Sequence, residues 1–364
     1  MSDDIRDTVP VTLLTGFLGS GKTTLLNHLL SSPALKDCAV LINEFGETAV
    51  DHLLVRRVSD EITVLDSGCL CCSVLGDLVT SMRDLFRKRA MGEVPEFQRV
   101  LIETSGLADP APIIHTLMSD IFLASRYRLD GVITTVDAVN GARTLDANRE
   151  SVKQAAVADR LLITKTDLAE PNAVAALERR LAALNPTARR LTVAHGVADP
   201  ADLLDCGLWN GQDKIPDVAR WLNDEALAEC APGCDAPHHH HHHDHDHGHH
   251  HHGHDRHDEH VTSFVLTFDQ RLSWEPFALA IEVLLSMRGE NLLRVKGILN
   301  IVESELPLVI HGVQHLFHPP VTLPAWPDED RRTRIVFITR DLSKQAVVQL
   351  LEQAVGEKVS SAAQ

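Results

Sequence analysis

Positive charge is in short supply in this sequence. Its 34 lysines and arginines face 51 aspartates and glutamates, a formal net charge of −17 over 364 residues. Such a surface repels a nucleic-acid backbone and suits a protein that holds cations loosely. Long apolar runs are missing as well. None approaches the roughly 18 residues that a membrane span needs, so no membrane partner is expected. Residues Met1 to Thr8 are polar and acidic, with neither the apolar core of a secretory signal nor an arginine-rich transit pattern. A cytoplasmic protein is the expectation. Cysteines number seven, three of them packed together, which argues against a disulfide scaffold and for thiolate metal ligation.

What is present is concentrated near the N-terminus. An apolar run from Val11 to Leu14 breaks into Thr15-Gly16-Phe17-Leu18-Gly19-Ser20-Gly21-Lys22-Thr23-Thr24, and Leu25, Leu26, Leu29 and Leu30 follow at helical spacing. This reads as strand, loop and helix, and it matches the phosphate-binding pattern G-x-x-x-x-G-K-[ST] without a gap. Gly16, Gly19, Ser20, Gly21 and Thr24 would wrap backbone N–H groups around phosphate oxygens, with the positive end of the helix behind them. Lys22 would reach the outer phosphates, and the Thr23 hydroxyl would hold Mg2+. The chain therefore binds a nucleotide.

Two domains are expected at this length. From Val9 to about Val193, short apolar runs alternate with amphipathic stretches. Cys38 to Ile42, Ile62 to Leu65, Val100 to Ile102, Gly131 to Val136 and Leu161 to Ile163 are the strand candidates. Apolar on both faces and widely spaced, they predict an α/β fold with a mostly parallel sheet covered by helices on both faces. Ligands of such sheets sit beyond the carboxyl ends of the strands. The loop after the second strand carries Asn43-Glu44-Phe45-Gly46-Glu47 and then Asp51, a candidate magnesium or water-orienting loop or simply a solvated acidic one. A later strand delivers Glu103-Thr104-Ser105-Gly106. Glu103 stands where P-loop proteins keep their second magnesium-side acid, and Gly106 where an N–H meets the γ-phosphate. Asp137 ends the next strand, as a helix cap or a ligand.

Between these motifs lies Cys69-Leu70-Cys71-Cys72, after Asp66-Ser67-Gly68 and before a helix striped by Leu78, Val79, Met82, Leu85 and Phe86. A strand-to-helix turn lowers thiol pKa and favours the metal-binding thiolate. A redox pair or small buried residues are the alternatives. Further on, Thr164-Lys165-Thr166-Asp167-Leu168 follows an apolar strand. An aspartate two after a lysine is how GTPases read guanine, since its carboxylate accepts two hydrogen bonds that adenine cannot supply. Thr164 stands where asparagine is usual.

Pattern weakens from about residue 201. Cys230 and Cys234 lead into a tract from His238 to His260 that holds fifteen of the 22 histidines among aspartates. With nothing apolar to bury it is expected to be a disordered loop, and imidazoles at that density bind zinc, nickel, copper or cobalt. From Val261 a second unit begins. Strands are expected at Val261 to Phe268, Leu292 to Val302, Leu308 to Ile310 and Arg334 to Ile338, with helices at Glu275 to Leu285 and Ser343 to Val355. This is a smaller α+β domain. His311, His315 and His318 within it read as surface or core. The expected division is residues 1–205, a linker over 206–260, and residues 261–364.

Taken together, the P-loop, the Glu-Thr-Ser-Gly turn, Cys-x-Cys-Cys and Lys-Thr-Asp resemble the CobW-type family of P-loop GTPases, relatives of the GTPases that insert nickel into urease and hydrogenase. The resemblance extends from Gly16 to about Val355, and the segment from Val261, with Trp326 and Arg331 to Ile338, resembles that family's C-terminal domain. It implies GTP hydrolysis with slow turnover, coupled to handling Zn2+ or Co2+ and to delivery of that metal to a client metalloprotein or metal-insertion apparatus. Oligomers are possible. Carried onto this chain, it makes Lys22, Thr23, Glu44 and Glu103 the catalytic set and Lys165 and Asp167 the base readers. Cys69, Cys71 and Cys72 become the transferable-metal ligands, with Glu44 near both nucleotide and metal. Two rivals stand beside it: an ATP-dependent P-loop kinase or ligase, for which Asp167 has no purpose, and a passive metal buffer built on the histidine tract.

Overall fold

The computed structural model describes residues 8–42, 52–56, 62–66, 74–206 and 260–360. The first unit is an eight-stranded sheet. In chain order its strands are β1 (Val9–Gly16), β2 (Cys38–Ile42), β3 (His52–Arg56), β4 (Ile62–Asp66), β5 (Arg99–Glu103), β6 (Tyr127–Asp137), β7 (Arg160–Thr164) and β8 (Arg189–Val193). Across the sheet the order is β4-β3-β2-β5-β1-β6-β7-β8. From β2 to β8 in that order the pairings are all parallel, and only β3 runs against its two neighbours. Strands β1, β5 and β7 are buried along nearly their whole length, the signature of a sheet covered on both faces.

Helices α1 (Lys22–Ser31), α2 (Val74–Ala90), α3 (Pro110–Ser119), α4 (Ile121–Arg126), α5 (Gly141–Ala147), α6 (Arg149–Ala156), α7 (Pro171–Leu184) and α8 (Pro200–Leu203) connect these strands. On α2 the predicted stripe is the one that packs: Leu78, Met82 and Leu85 join Val11, Leu13, Val100 and Ile102 in one core, with Val79 and Phe86 at its margin. Leu25, Leu26 and Leu29 of α1 pack on the opposite face of the sheet with Leu14, Val40 and Leu101. Alternate residues of β1 thus feed two cores, as the pleat requires.

Two strands depart from the expectation. The segment from Asn43 to Cys72, expected to hold one strand, holds two, β3 and β4. Edge strand β8 is the other addition. Its residues Arg189 to Thr192 are only partly buried or exposed, so the apolar run that marks an inner strand is absent.

The second unit is an antiparallel sheet of β9 (Val261–Phe268), β10 (Leu292–Leu299), β11 (Leu308–Val313), β12 (Leu316–Phe317), β13 (Val321–Thr322) and β14 (Thr333–Arg340), ordered β12-β11-β10-β14-β9 with β13 on β11. Helices α9 (Trp274–Arg288) and α10 (Lys344–Val355) cover one face through Phe277, Ile281, Leu284, Val347 and Leu351. Strand β10 is buried at every position because its other face meets the first unit. There Leu293 and Ile338 pack on Ala156. Beside them the Asp159 carboxylate takes Lys296 Nζ at 2.9 Å and the Arg294 guanidinium, all three nearly inaccessible. His311 and His318 stack within the same buried region, 4.5 Å between ring centroids. They belong to the core, as expected. Among the described residues no helix is long and apolar enough to cross a membrane.

Candidate nucleotide and metal site

Strand β1 ends at Gly16, and the chain turns through Gly19 and Gly21, whose φ of 70° and 94° lie in the left-handed region. A side chain there would be strained. Ser20 N–H donates to the Phe17 carbonyl at 3.1 Å and closes the loop. Helix α1 starts at once, with Gly21 as its cap, no side-chain acceptor for its first N–H groups and no acid in its first turn. The first N–H groups of a helix and its dipole suit an anion. Lys22 is buried and curls back, its Nζ donating to the carbonyls of Gly16 at 3.0 Å and Phe17 at 3.3 Å. It sits over the loop it is expected to fill.

Thr23 and Glu103 come together. The Thr23 hydroxyl donates to Glu103 Oε1 at 2.8 Å across 80 residues of sequence, because β5 lies beside β1 with Leu14 opposite Glu103. Glu103 is 2% exposed. A hydroxyl and a carboxylate oxygen at one point are the hard donors that Mg2+ takes. The chain then turns at Gly106, where a Cβ would stand 2.6 Å from the backbone nitrogen of Leu18. Any side chain would push this turn off the P-loop. Gln154 holds the turn from the other side, donating to the carbonyls of Gly106 at 3.2 Å and Ala108 at 3.0 Å.

The base-reading segment follows β7. Thr164, the apparent departure, ties two elements together. Its hydroxyl donates to the Ser20 carbonyl at 2.7 Å and lashes β7 to the P-loop. Lys165 adopts a left-handed φ of 56°, and its Nζ donates to Asp137 Oδ2 at 2.8 Å. Asp137 also accepts from Val139 N–H at 2.7 Å and from the Asn140 side chain at 3.2 Å. Burial would raise its pKa, but these donors, Lys165 first, outweigh that and hold it below the ordinary value. Asp137 closes the turn after β6 and orients Lys165, while the helix that follows is capped at Asn140. Asp167 lies a quarter exposed, with His195 Nδ1 3.5 Å from Oδ2.

Two family models match the chain: "CobW/HypB/UreG, nucleotide-binding domain" over residues 10–192 and "Cobalamin synthesis protein cobW C-terminal domain" over residues 261–355. The chain belongs to the CobW-type family of P-loop GTPases. Among curated relatives it is similar to the zinc chaperone YjiA of Escherichia coli, at 34% identity over 93% of this chain and 96% of that protein. It is also similar to the zinc chaperone CobW of Pseudomonas aeruginosa, at 29% identity over 95% of this chain and 91% of that one. Of solved structures, Zn(II)-bound YjiA GTPase from E. coli superimposes with a TM-score of 0.67 at 30% identity, covering 95% of this chain and 99% of that one.

The family's remaining expected residues, Glu44 and the thiols Cys69, Cys71 and Cys72, lie outside the described residues, as do Cys230, Cys234 and the histidine tract up to Glu259. The strands that lead to them are described. Opposite one another stand Ile42 and Glu103, Leu41 and Leu53, and His52 and Asp66. Asp66 therefore ends β4 at the sheet edge where β1 and β5 end. Sequence reasoning passes over Thr135, Gln154 and His195. Ser20 and Thr135 share a 2.7 Å hydrogen bond between hydroxyls, and no local pattern links residues so far apart in sequence. For His195, its place just before Gly196 is the available signal.

Proposed function

We propose that this protein is a cytoplasmic GTP-hydrolysing metallochaperone. It carries zinc on Cys69, Cys71 and Cys72 and passes it to a client metalloprotein. The observation that carries the reading is the strand register: Asp66, three residues before Cys69, ends at the same sheet edge as the Thr23–Glu103 pair. Relatives that bear the name zinc chaperone over nearly the whole chain support zinc as the cargo.

In this reading Lys22 exchanges the carbonyls of Gly16 and Phe17 for phosphate oxygens, and the N–H groups from Gly19 to Thr24 hold the rest of the phosphate chain. Thr23 and Glu103 hold Mg2+, which neutralises charge developing on the outer phosphates. Gly106, kept against Leu18, offers its N–H to the γ-phosphate, and Glu44, on the β2–β3 connection, is a switch residue near both nucleotide and metal. Asp167 accepts from the guanine edge while the Lys165 stem lies along the ring. Such a site works by positioning and electrostatics, so turnover is slow until a client completes it.

Nucleotide and metal would be coupled through the β2–β4 segment, with a coupling on the usual scale of about 1–3 kcal/mol. The test is zinc titration against a chelating dye in the presence of GDP and of a non-hydrolysable GTP analogue. Zinc affinity should differ by about 5- to 150-fold between the two states. Cys71→Ser should abolish the tight site, and deleting His238 to Glu259 should lower the number of ions bound without touching it. Equal affinity in both nucleotide states removes the coupling. Loss of the tight site on deleting the tract moves the function to the histidines.

A further inference from the structure

We propose that His195 is a positioning residue for guanine, holding the Asp167 carboxylate in the orientation that reads the base. This rests on the assignment of Asp167 as the base reader.

The turn after β8 is built to present this imidazole. Val197 N–H donates to the Ala194 carbonyl at 3.0 Å and closes a four-residue turn. Its two central residues, His195 and Gly196, both have positive φ, 54° and 74°. Positive φ at both central positions is the mark of a type I′ turn, which glycine, asparagine and aspartate dominate. Backbone strain of this kind persists where the surroundings impose it and collects at functional sites. Here the imposing contact is visible: a Cβ on Gly196 would meet Thr24 Cγ2 at 2.8 Å and the Thr24 backbone at 3.3 Å. The turn is thus seated on the first turn of α1, the same turn that offers its N–H groups to phosphate.

Seated there, the turn sends His195 toward the loop after β7, where Nδ1 lies 3.5 Å from Asp167 Oδ2. At that separation the contact is loose and yields to a ligand. The imidazole side chain is 78% exposed and the carboxylate 25%, so the pair faces outward. A carboxylate has about four lone-pair sites, and the oxygen turned to His195 keeps one for the base. The other left-handed side chain of the region, Lys165, is held by Asp137. Two strained residues in two loops therefore flank Asp167, one anchored by a carboxylate and the other anchored on the P-loop helix.

A positioned carboxylate accepts two hydrogen bonds from guanine, from N1–H and from the 2-amino group. A loosely held one keeps the first more easily than the second. His195 should therefore matter most for the 2-amino group, which inosine lacks.

The experiment measures GDP, IDP and ADP affinities by displacement of a fluorescent guanine nucleotide from the full-length protein, from His195→Ala, His195→Asn and Asp167→Asn. In His195→Ala the preference for GDP over IDP should fall about 5- to 10-fold, while ADP binding stays unchanged. Asparagine tolerates the left-handed conformation and offers an N–H, so His195→Asn should restore most of the preference. A GDP-to-IDP ratio within twofold of native in His195→Ala overturns the proposal. So does an equal loss of all three nucleotides, which marks a turn that merely supports α1. A native protein that binds GDP and ADP alike, unaffected by Asp167→Asn, overturns the Asp167 assignment and His195 with it. Guanine preference that Asp167→Asn removes and His195→Ala leaves intact overturns His195 alone.

Discussion

Replacing Asp159 by asparagine should destabilise the joint between the two units by about 3–5 kcal/mol. The carboxylate is shared. Oδ2 accepts the Val132 N–H at 2.9 Å, and Oδ1 takes Lys296 Nζ at 2.9 Å together with the Arg294 guanidinium. The three side chains are 5%, 7% and 1% exposed, so solvent cannot take over the charge. Burial alone would raise the Asp159 pKa, but Arg294 and Lys296 prevail and hold it far below the ordinary value. An asparagine of the same shape removes the negative charge and turns N–H groups toward donors. Breaking a buried pair on one side is what makes such losses large.

The loss has a ceiling. The variant can relieve itself by releasing the Lys296 proton, because burial and Arg294 already lower that pKa from 10.5 to about 8. At pH 7.5 that lysine is already within about one pH unit of losing its proton, so the release costs little. Arg294 has no such exit. Tryptophan fluorescence in a urea titration is a suitable readout once Trp209 and Trp221, between the units, are replaced by phenylalanine, since Trp274 and Trp326 lie in the C-terminal unit and the first unit, through Asp205, has no tryptophan. With a slope of about 2–3 kcal/mol per molar, the midpoint should fall by on the order of 1–2 M. Asp205→Asn is the control. Asp205 pairs with the mostly buried Arg99 at 2.5 Å, but its own side chain is 64% exposed, so solvent screens its charge and the pair contributes on the order of 1 kcal/mol. If Asp159→Asn moves the midpoint no more than Asp205→Asn does, the buried cluster does not hold the units together.

Other outcomes follow from the same geometry. Thr164→Val should leave the Ser20 carbonyl without its donor, cost about 1–2 kcal/mol and weaken GDP binding roughly tenfold, whereas Thr164→Asn should bind nearly as well as native; isothermal titration separates them. Burial, reinforced by Arg294, lowers the His318 pKa from 6.5 to about 3. A depressed value means stability present above pH 6.5 and lost as pH falls toward 3, at about 1.36 kcal/mol per pH unit for this one proton. Denaturation of native protein and of His318→Asn from pH 7 to pH 4.5 should show the smaller acid loss in the variant.

Much of this was legible in the sequence because the signals are local. The P-loop, Glu103 at a strand end and Lys165 with Asp167 after another are each a few residues long, and each follows or ends the strand that its sequence places there. Apolar runs marked β1, β2, β5, β6 and β7 because those strands are covered on both faces. What escaped were relations between distant residues. Thr164 looks like a weakened motif when read alone, yet its hydroxyl meets the Ser20 carbonyl 144 residues away. Asp159 is 135 residues from Arg294, and between Ala158 and Arg160 it resembles any acid at a strand's start. Arg294 and Lys296, alternating with apolar residues, read as the solvent side of a strand, and only the packing of two units on one another turns that side into an interior.

The additional strand β3 bears directly on how nucleotide and metal would communicate. With one strand between the Glu44 loop and the thiol turn, a strand parallel to β2 needs a long crossover, because parallel neighbours cannot be joined by a tight turn. Nineteen residues separate Ile42 from Ile62, and five of them form β3 in place of such a crossover. With two strands the difficulty disappears. Strand β3 returns antiparallel beside β2, β4 runs back beside β3, and β4 regains the direction of β2 with short connections only. Each strand reversal exchanges one sheet edge for the other, so an even number restores the edge at which Glu103 meets Thr23. The pair is also held as one lever: five consecutive residues of β3 face five of β4, from His52 opposite Asp66 to Arg56 opposite Ile62. A displacement of the β2–β3 connection by the γ-phosphate would therefore reach the start of the thiol turn along hydrogen-bonded strands, not through solvent. An insertion within β3 shifts the register and turns its side chains to opposite faces, so the topology locates the sensitive element in β3 itself.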